Sequence, residues 1–383
     1  MEKKKEILII GGSGVLSTAV VGLCIDNGWN VTMINRGRNT QWLNPKATLI
    51  KSDVNDDERI KAALGDRHFD VCIDFIIFTK DQLVHSLGLF GRVADQYVMI
   101  SSAQVYNTNM KGWLDEDSET PQKVWRYSVN KEESEKYLRD YCEKEGVHYT
   151  IIRPGVNYDN RRIPYGMGPQ MGAYWTMIER IKHGKPIILW DGGKNKLNLT
   201  RVEDFASGLF GLLGKEEAYN NTFNVVGDYV YTWKEVCDEL EKILGLPVKT
   251  IDVSTDFYAT YLTGERKEML IGGRACDLCC SNKRLKEVVT DYRAKYDLHE
   301  GLKLTVDYMN AHPTEQWIDY MWEMEQDYVI KQYLKSTHQP KDPSLRFVNY
   351  DGLKWVDTIK MRYKFMKRIM RNNRMLRKLF RKQ

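Results

Sequence analysis

Ile7-Leu8-Ile9-Ile10-Gly11-Gly12-Ser13-Gly14-Val15-Leu16-Ser17 is the stretch that decides the fold. Four consecutive apolar residues read as a strand covered on both faces. Gly11 permits a tight turn, Gly14 lets the backbone approach a ligand closely, and Val15 to Asn27 reads as a helix. The first N–H groups of a helix lack partners within it and carry partial positive charge. A phosphate settles there if no side chain blocks it. Ser17 occupies the third small position of the turn, where glycine is usual, and still allows close helix–strand packing. Gly11, Gly12, Ser13, Gly14, Val15 and Leu16 are therefore the expected cradle for a dinucleotide pyrophosphate.

The following segments extend this unit. Asn30–Ile34, Thr48–Lys51, Val71–Phe78 and Tyr97–Ile100 read as strands, with Asp56–Leu64 and Gln82–Ala94 as helices between them. The alternation predicts an α/β fold, a Rossmann-type doubly wound parallel sheet with right-handed crossovers. Ligands of such sheets sit at the carboxyl ends of the strands. Gly11, Asp53 with Val54, Phe75, and Ser101-Ser102 all fall at or just past such ends, so they are expected to share one crevice. The second strand ends in Asn35-Arg36-Gly37-Arg38. An acid there would bind a ribose 2′-hydroxyl, whereas arginine accommodates a 2′-phosphate. Two guanidinium groups and no acid favour NADP(H) over NAD. The alternative is that Arg36 and Arg38 are solvated and Asn35 holds NAD. Asp53 is placed to accept from an adenine amino group, or to cap the next helix.

A second signal lies about 110 residues on, in Tyr127-Ser128-Val129-Asn130-Lys131. Residues four apart share a helix face. An ammonium beside a phenol favours the phenolate and lowers its pKa, so Tyr127 can exchange a proton while hydride moves to or from a nicotinamide. Ser102 can hold the substrate oxygen. With 22 Tyr in the chain, this pairing arises readily by chance. Its place after a glycine strand–turn–helix, with Ser101-Ser102 ending the fifth strand, gives it meaning.

Taken together, these pieces resemble an extended short-chain dehydrogenase/reductase of the NAD-dependent epimerase/dehydratase kind. The resemblance runs from Ile7 to about Ala311. It includes Ser52-Asp53-Val54, Ser101-Ser102-Ala103-Gln104-Val105-Tyr106, Ile152-Arg153-Pro154-Gly155, Thr200-Arg201-Val202-Glu203-Asp204-Phe205-Ala206, Thr222-Phe223-Asn224-Val225 and His299-Glu300-Gly301-Leu302. It implies Ser102, Tyr127 and Lys131 as catalytic residues, and Gly11, Gly14, Asn35, Arg36 and Asp53 as the cofactor frame. It also implies that Arg153-Pro154 and the following loop close on nicotinamide and substrate, that the substrate is a sugar or nucleotide-sugar, and that the chain forms a homodimer. Many 4,6-dehydratases carry Asp-Glu after the serine position. Ala103-Gln104 stands there in this chain, so dehydration is disfavoured against epimerisation or simple reduction. A non-catalytic dinucleotide or RNA binder of the same fold is the reading from another class.

Organisation follows the same frame: a dinucleotide-binding core over residues 1–155, a smaller substrate-binding region over 156–311, and a helical extension with a basic tail over 312–383. Arg201, Arg266 and Arg274 are candidates to meet phosphate, or else salt-bridge partners. Seven Cys at irregular spacing fit reduced thiols in a cytoplasm. Cys276-x-x-Cys279-Cys280 has no second Cys or His pair to complete a zinc site, so no metal is expected. Mean hydropathy is −0.51, with no apolar run of membrane-spanning length and no secretory signal pattern at Met1–Glu6. From Gly352 to Gln383, twelve Lys or Arg face one acid, Asp357. This +11 exceeds the chain's net +5, so the other 351 residues carry −6. Trp355, Ile359, Tyr363, Met366, Met370 and Leu379 fall near helical spacing, interrupted at Asn372-Asn373-Arg374. A helix of this kind suits an anionic membrane surface, which would place the protein at the inner membrane face. Packing on its own body or on a subunit is the competing reading. No motif specific for nucleic acid accompanies the cations.

Overall fold

The computed structural model describes residues 4–110, 112–120 and 123–372. Within them the chain forms two compact units. The first comprises the residues up to Asn157, Leu197–Val230 and Leu278–Tyr296. The second comprises Tyr158–Lys196, Tyr231–Asp277 and the residues from Asp297 on.

The first unit is built on seven strands: β1 (Glu6–Ile10), β2 (Asn30–Asn35), β3 (Thr48–Lys51), β4 (Phe69–Asp74), β5 (Ala94–Ile100), β6 (His148–Pro154) and β7 (Asn221–Val225). They are ordered β7-β6-β5-β4-β1-β2-β3, and every neighbouring pair is parallel. Helices α1 (Val15–Asp26), α2 (Asp57–Leu64), α3 (Lys80–Phe90) and α4 (Arg126–Glu145) make the crossovers. Alternate residues face opposite sides of a strand. Ile7 and Ile9, with Val31, Met33, Val71 and Ile73, pack under Val20, Val21 and Cys24 of α1 and Phe205 and Leu209 of the helix Val202–Phe210. Leu8 and Ile10, with Ile34, Cys72, Tyr97 and Met99, pack under Ile60 of α2, Leu83 and Leu87 of α3 and Leu138 of α4. The period-two split of one apolar run between two cores is what a doubly wound sheet requires.

The largest boundary differences from the sequence expectation lie at the end of β4 and between α3 and β5. β4 stops at Asp74 rather than running to Phe78. The Ile76 N–H donates to the Asp74 carboxylate (2.9 Å), and the Phe78 and Thr79 N–H groups donate to Gln82 (2.7 and 3.1 Å), so these residues leave the ladder to cap α3. α3 in turn ends at Phe90, and Ala94 opens β5.

The second unit holds α5 (Trp175–Lys182), the helices Trp233–Leu244 and Leu298–Ala311, α6 (Tyr320–Ser336) and α7 (Trp355–Asn372). The stretch from His312 on, expected as a separate extension, belongs to this unit. Its centre is a buried charge network. Arg180 and Lys185 both pair with Glu323 (2.8 and 2.5 Å) and Asp327 (2.7 and 2.8 Å), and the Tyr350 hydroxyl donates to Glu323 (2.8 Å). Four charges taken out of water together persist because each is paired. Residues 373–383, including Asn373-Arg374 and Leu379 of the apolar stripe, lie outside the described residues.

Candidate active site

The strand order brings the carboxyl ends of β1, β2, β4 and β5 to one edge of the sheet, and the candidate residues gather there. Gly11 and Gly12 take φ values of +110° and +100°, a region that side chains rarely enter. A Cβ on Gly12 would also stand 2.7 Å from the Met33 sulfur. Gly14 forms the N-cap of α1 without a side chain, and the first turn holds no acid. The Ser17 hydroxyl accepts from the Gly14 N–H (2.9 Å) and fixes the turn. Val15 and Leu16 open the helix, Leu16 with its side chain against the core. A bare helix start, two glycines in left-handed backbone and no local negative charge fit a dinucleotide's pyrophosphate.

Around this turn the structure gives several expected residues different surroundings. Asn35 donates from its side-chain amide to the Gly11 carbonyl and the Ser13 hydroxyl (both 3.0 Å) and accepts from the Gly37 N–H (2.8 Å). It braces the glycine turn. Arg36 and Arg38 are exposed and make no hydrogen bond among the described residues. Asp53 is exposed and bonded to Asn55 (3.1 and 2.9 Å); these bonds, with Arg36 and Arg38 nearby, lower its pKa. Val54 packs against the core. Phe75 follows β4, its N–H bonded to the Ile10 carbonyl (3.1 Å), beside Gly11.

Lys131 is buried on α4. Its ammonium donates to the carbonyls of Ile77, just past β4, and of Ile100, the last residue of β5 (2.7 Å to the latter). It lies 5.7 Å from the centre of the half-buried Tyr127 ring and 5.0 Å from that of Phe78. Burial pulls its pKa down to about 8, against the attraction of Asp74 and Glu135. The Tyr127 ring also packs on Trp125, with centroids 4.9 Å apart. Ser102 is buried at the end of β5, and its hydroxyl accepts from the Gln104 N–H (3.2 Å). Ser102, Tyr127 and Lys131 thus stand around one junction, where the ends of β4 and β5 meet α4.

Ser101 and Arg153 are engaged elsewhere. The Ser101 hydroxyl donates to Glu135 (2.6 Å). Arg153 grips the same carboxylate through two nitrogens (3.0 and 2.6 Å), donates to the Glu116 carbonyl (3.2 Å) and lies over the Tyr106 ring. Burial alone would raise Glu135, but Arg153, with Arg139 and Ser101, holds it below the usual carboxylate range. Pro154 closes β6 opposite Val225. Glu135 organises this corner, and sequence reasoning missed it. It also passed over Gln104, buried with its Oε1 unpartnered among the described residues; the only signal was its place two residues after Ser102. Of the phosphate candidates, Arg201 pairs with Glu203 (2.7 Å) and Arg266 with Glu325 (2.8 Å). Among the described residues, no cluster of three or more His, Cys, Asp or Glu is arranged for a metal.

The sequence pattern of the NAD dependent epimerase/dehydratase family matches residues 7–226, more than half of the chain. This chain belongs to the NAD dependent epimerase/dehydratase family. Among curated relatives, the chloroplast stem-loop binding protein of 41 kDa b from Arabidopsis thaliana is 26% identical over 258 residues, and the match spans 64% of each chain. A putative UDP-glucose 4-epimerase from Methanocaldococcus jannaschii is 24% identical over 257 residues, 57% of this chain and 81% of that one. Among solved structures, the UDP-glucose 4-epimerase of Thermotoga maritima with UDP-glucose matches at a TM-score of 0.64. Its identity is 20%, over 80% of this chain and 99% of that one. The UDP-glucuronic acid 4-epimerase of Bacillus cereus, with UDP-glucuronic acid and NAD, matches at 0.63 and 18% identity over the same shares. At these identities the structural likeness shows the epimerase/dehydratase fold alone.

Proposed function

We propose that this chain is an epimerase or oxidoreductase acting on a sugar or nucleotide-sugar, with Ser102, Tyr127 and Lys131 as its catalytic residues. The observation that carries the proposal is the buried Lys131 ammonium. It is anchored on carbonyls at the ends of β4 and β5, beside the Tyr127 ring and on the edge that holds the glycine turn. When bound, the dinucleotide supplies a hydride acceptor. Tyr127 takes the proton from a sugar hydroxyl, and the Lys131 charge favours the phenolate that does so. Ser102 holds the oxygen as it becomes a carbonyl. Gln104 offers its unpartnered Oε1 to a neighbouring substrate hydroxyl. The bracing of the glycine turn by Asn35 leaves the exposed Arg36 and Arg38 to meet a 2′-phosphate, which supports NADP(H) over NAD(H).

A second reading, a binder without turnover, is favoured by the stem-loop binding name of one relative. Tyr127→Phe separates the two. Turnover of candidate nucleotide-sugars, followed by absorbance near 340 nm for a reductase or by product chromatography for an epimerase, should fall at least about a hundredfold. Dinucleotide affinity, measured by calorimetry for NAD and NADP in turn, should stay within about twofold. Equal turnover in the variant refutes the role of Tyr127, and absence of turnover with every substrate tested favours the binder.

A further inference from the structure

α7 presents three faces, and one of them is covered. Phe365 and Ile369 are buried against Tyr320 and Met324 of α6, with Met361 and Tyr328 at the margin, and Arg368 pairs with Glu325. Successive helical residues turn by about 100°. By that rule Trp355, Ile359, Tyr363 and Met366 form one stripe about a third of a turn from the buried face. All four are exposed, Trp355 by 73% and Tyr363 by 63%. Beyond the stripe, on the side away from the buried face, stand the exposed Lys360, Lys364 and Lys367. The sequence beyond, residues 373–383, adds five Lys or Arg and no acid.

We propose that this stripe and its cations seat α7 in the interface of an anionic lipid bilayer. The geometry suits a helix lying in the membrane plane. Trp and Tyr favour the headgroup level, aliphatic side chains reach the acyl boundary, and lysines flank them toward anionic headgroups. No helix among the described residues is long and apolar enough to cross a membrane, so the contact is peripheral. A second copy fits the surface less well, because self-association through this face would set its lysines against one another. Nucleic acid would engage the cations but leave Ile359 and Met366 with nothing to bury against. The proposal does not depend on the catalytic roles given to Tyr127 and Lys131.

Flotation of the full-length protein tests it, using vesicles of phosphatidylcholine alone and vesicles with about one third phosphatidylglycerol, at an ionic strength of about 0.1 M. The protein is expected to float with the anionic vesicles only and to be released at about 1 M salt. Ile359→Ser with Met366→Ser should lower the partition coefficient at least tenfold with an unchanged thermal midpoint, since both side chains face solvent. Lys360→Gln with Lys364→Gln and Lys367→Gln should do the same on anionic vesicles. A protein that stays at the bottom of the gradient, or a serine pair that floats like the parent, overturns the proposal. Failure to float combined with binding of a stem-loop RNA assigns the face to nucleic acid. Failure to float combined with a dimer that the serine pair abolishes assigns it to a second copy.

Discussion

The Lys131 ammonium gives up its proton near pH 8 in the folded chain, against 10.5 ordinarily, because burial penalises the charge. Catalysis that uses this charge should weaken as it is lost. The kcat/KM profile is therefore expected to fall on the alkaline side with an apparent pKa near 8, reporting the free enzyme. Stability moves the other way. The folded value lies below the unfolded one, so burying the charge costs stability at neutral pH, and that cost is relieved between about pH 8 and 10.5. A urea midpoint that rises across this window while kcat/KM falls would tie both effects to one group. Glu135 has the opposite sign. Its folded pKa is depressed, so its contribution is present above the usual glutamate range and is lost as the pH drops below about 4.5. Glu135→Leu leaves Arg153 buried without its partner and should cost about 3–5 kcal/mol in urea unfolding at pH 7. The sequence could not indicate this pair. Ser101 looks like a cofactor ligand from its place at a strand end and Arg153 from the family resemblance, and only the packing of α4 on β5 and β6 brings a carboxylate to both.

At the scale of elements, the β1–α1 turn was legible because its physics is local. An apolar run, glycines and a helix start within eleven residues specify a bare helix end whatever surrounds them. Gly12→Ala tests how tightly the turn is held. The new methyl group enters backbone at φ +100° and meets the Met33 sulfur at 2.7 Å, so the turn or the Met33 side chain must shift. A loss of about 1–3 kcal/mol in stability is expected, with dinucleotide affinity lowered at least about tenfold by calorimetry. Wild-type affinity in this variant would show that the turn tolerates the shift and does not set the phosphate position. The end of β4 was misread for a related reason. Ile76-Ile77-Phe78 continues an apolar run, and hydrophobicity does not register that backbone N–H groups have turned to Asp74 and Gln82. The periodicity of α7 was legible too. Its second apolar face, Phe365 and Ile369, went unread, because what covers it is Tyr320 and Met324, more than thirty residues upstream.

For the whole molecule, charge is divided far more unevenly than a net +5 suggests. The 32 residues from Gly352 carry +11 and the 351 before them −6, so shortening the chain to Asp351 should turn a basic protein into an acidic one. At pH 7 the shortened protein should be retained by an anion exchanger, whereas the full chain is held by a cation exchanger. The same cut removes more than charge. Phe365 and Ile369 are buried against α6, and burying side chains of this size is worth about 1.5–3 kcal/mol each. Glu325, itself buried, would lose Arg368 and, among the described residues, keep Arg266. The shortened chain is therefore expected to melt several degrees lower and to expose Tyr320 and Met324, with faster aggregation on heating. Differential scanning calorimetry at matched ionic strength checks this. An unchanged melting profile would mean that α7 rests on α6 without stabilising it, and that its fixed position owes little to the apolar face it buries.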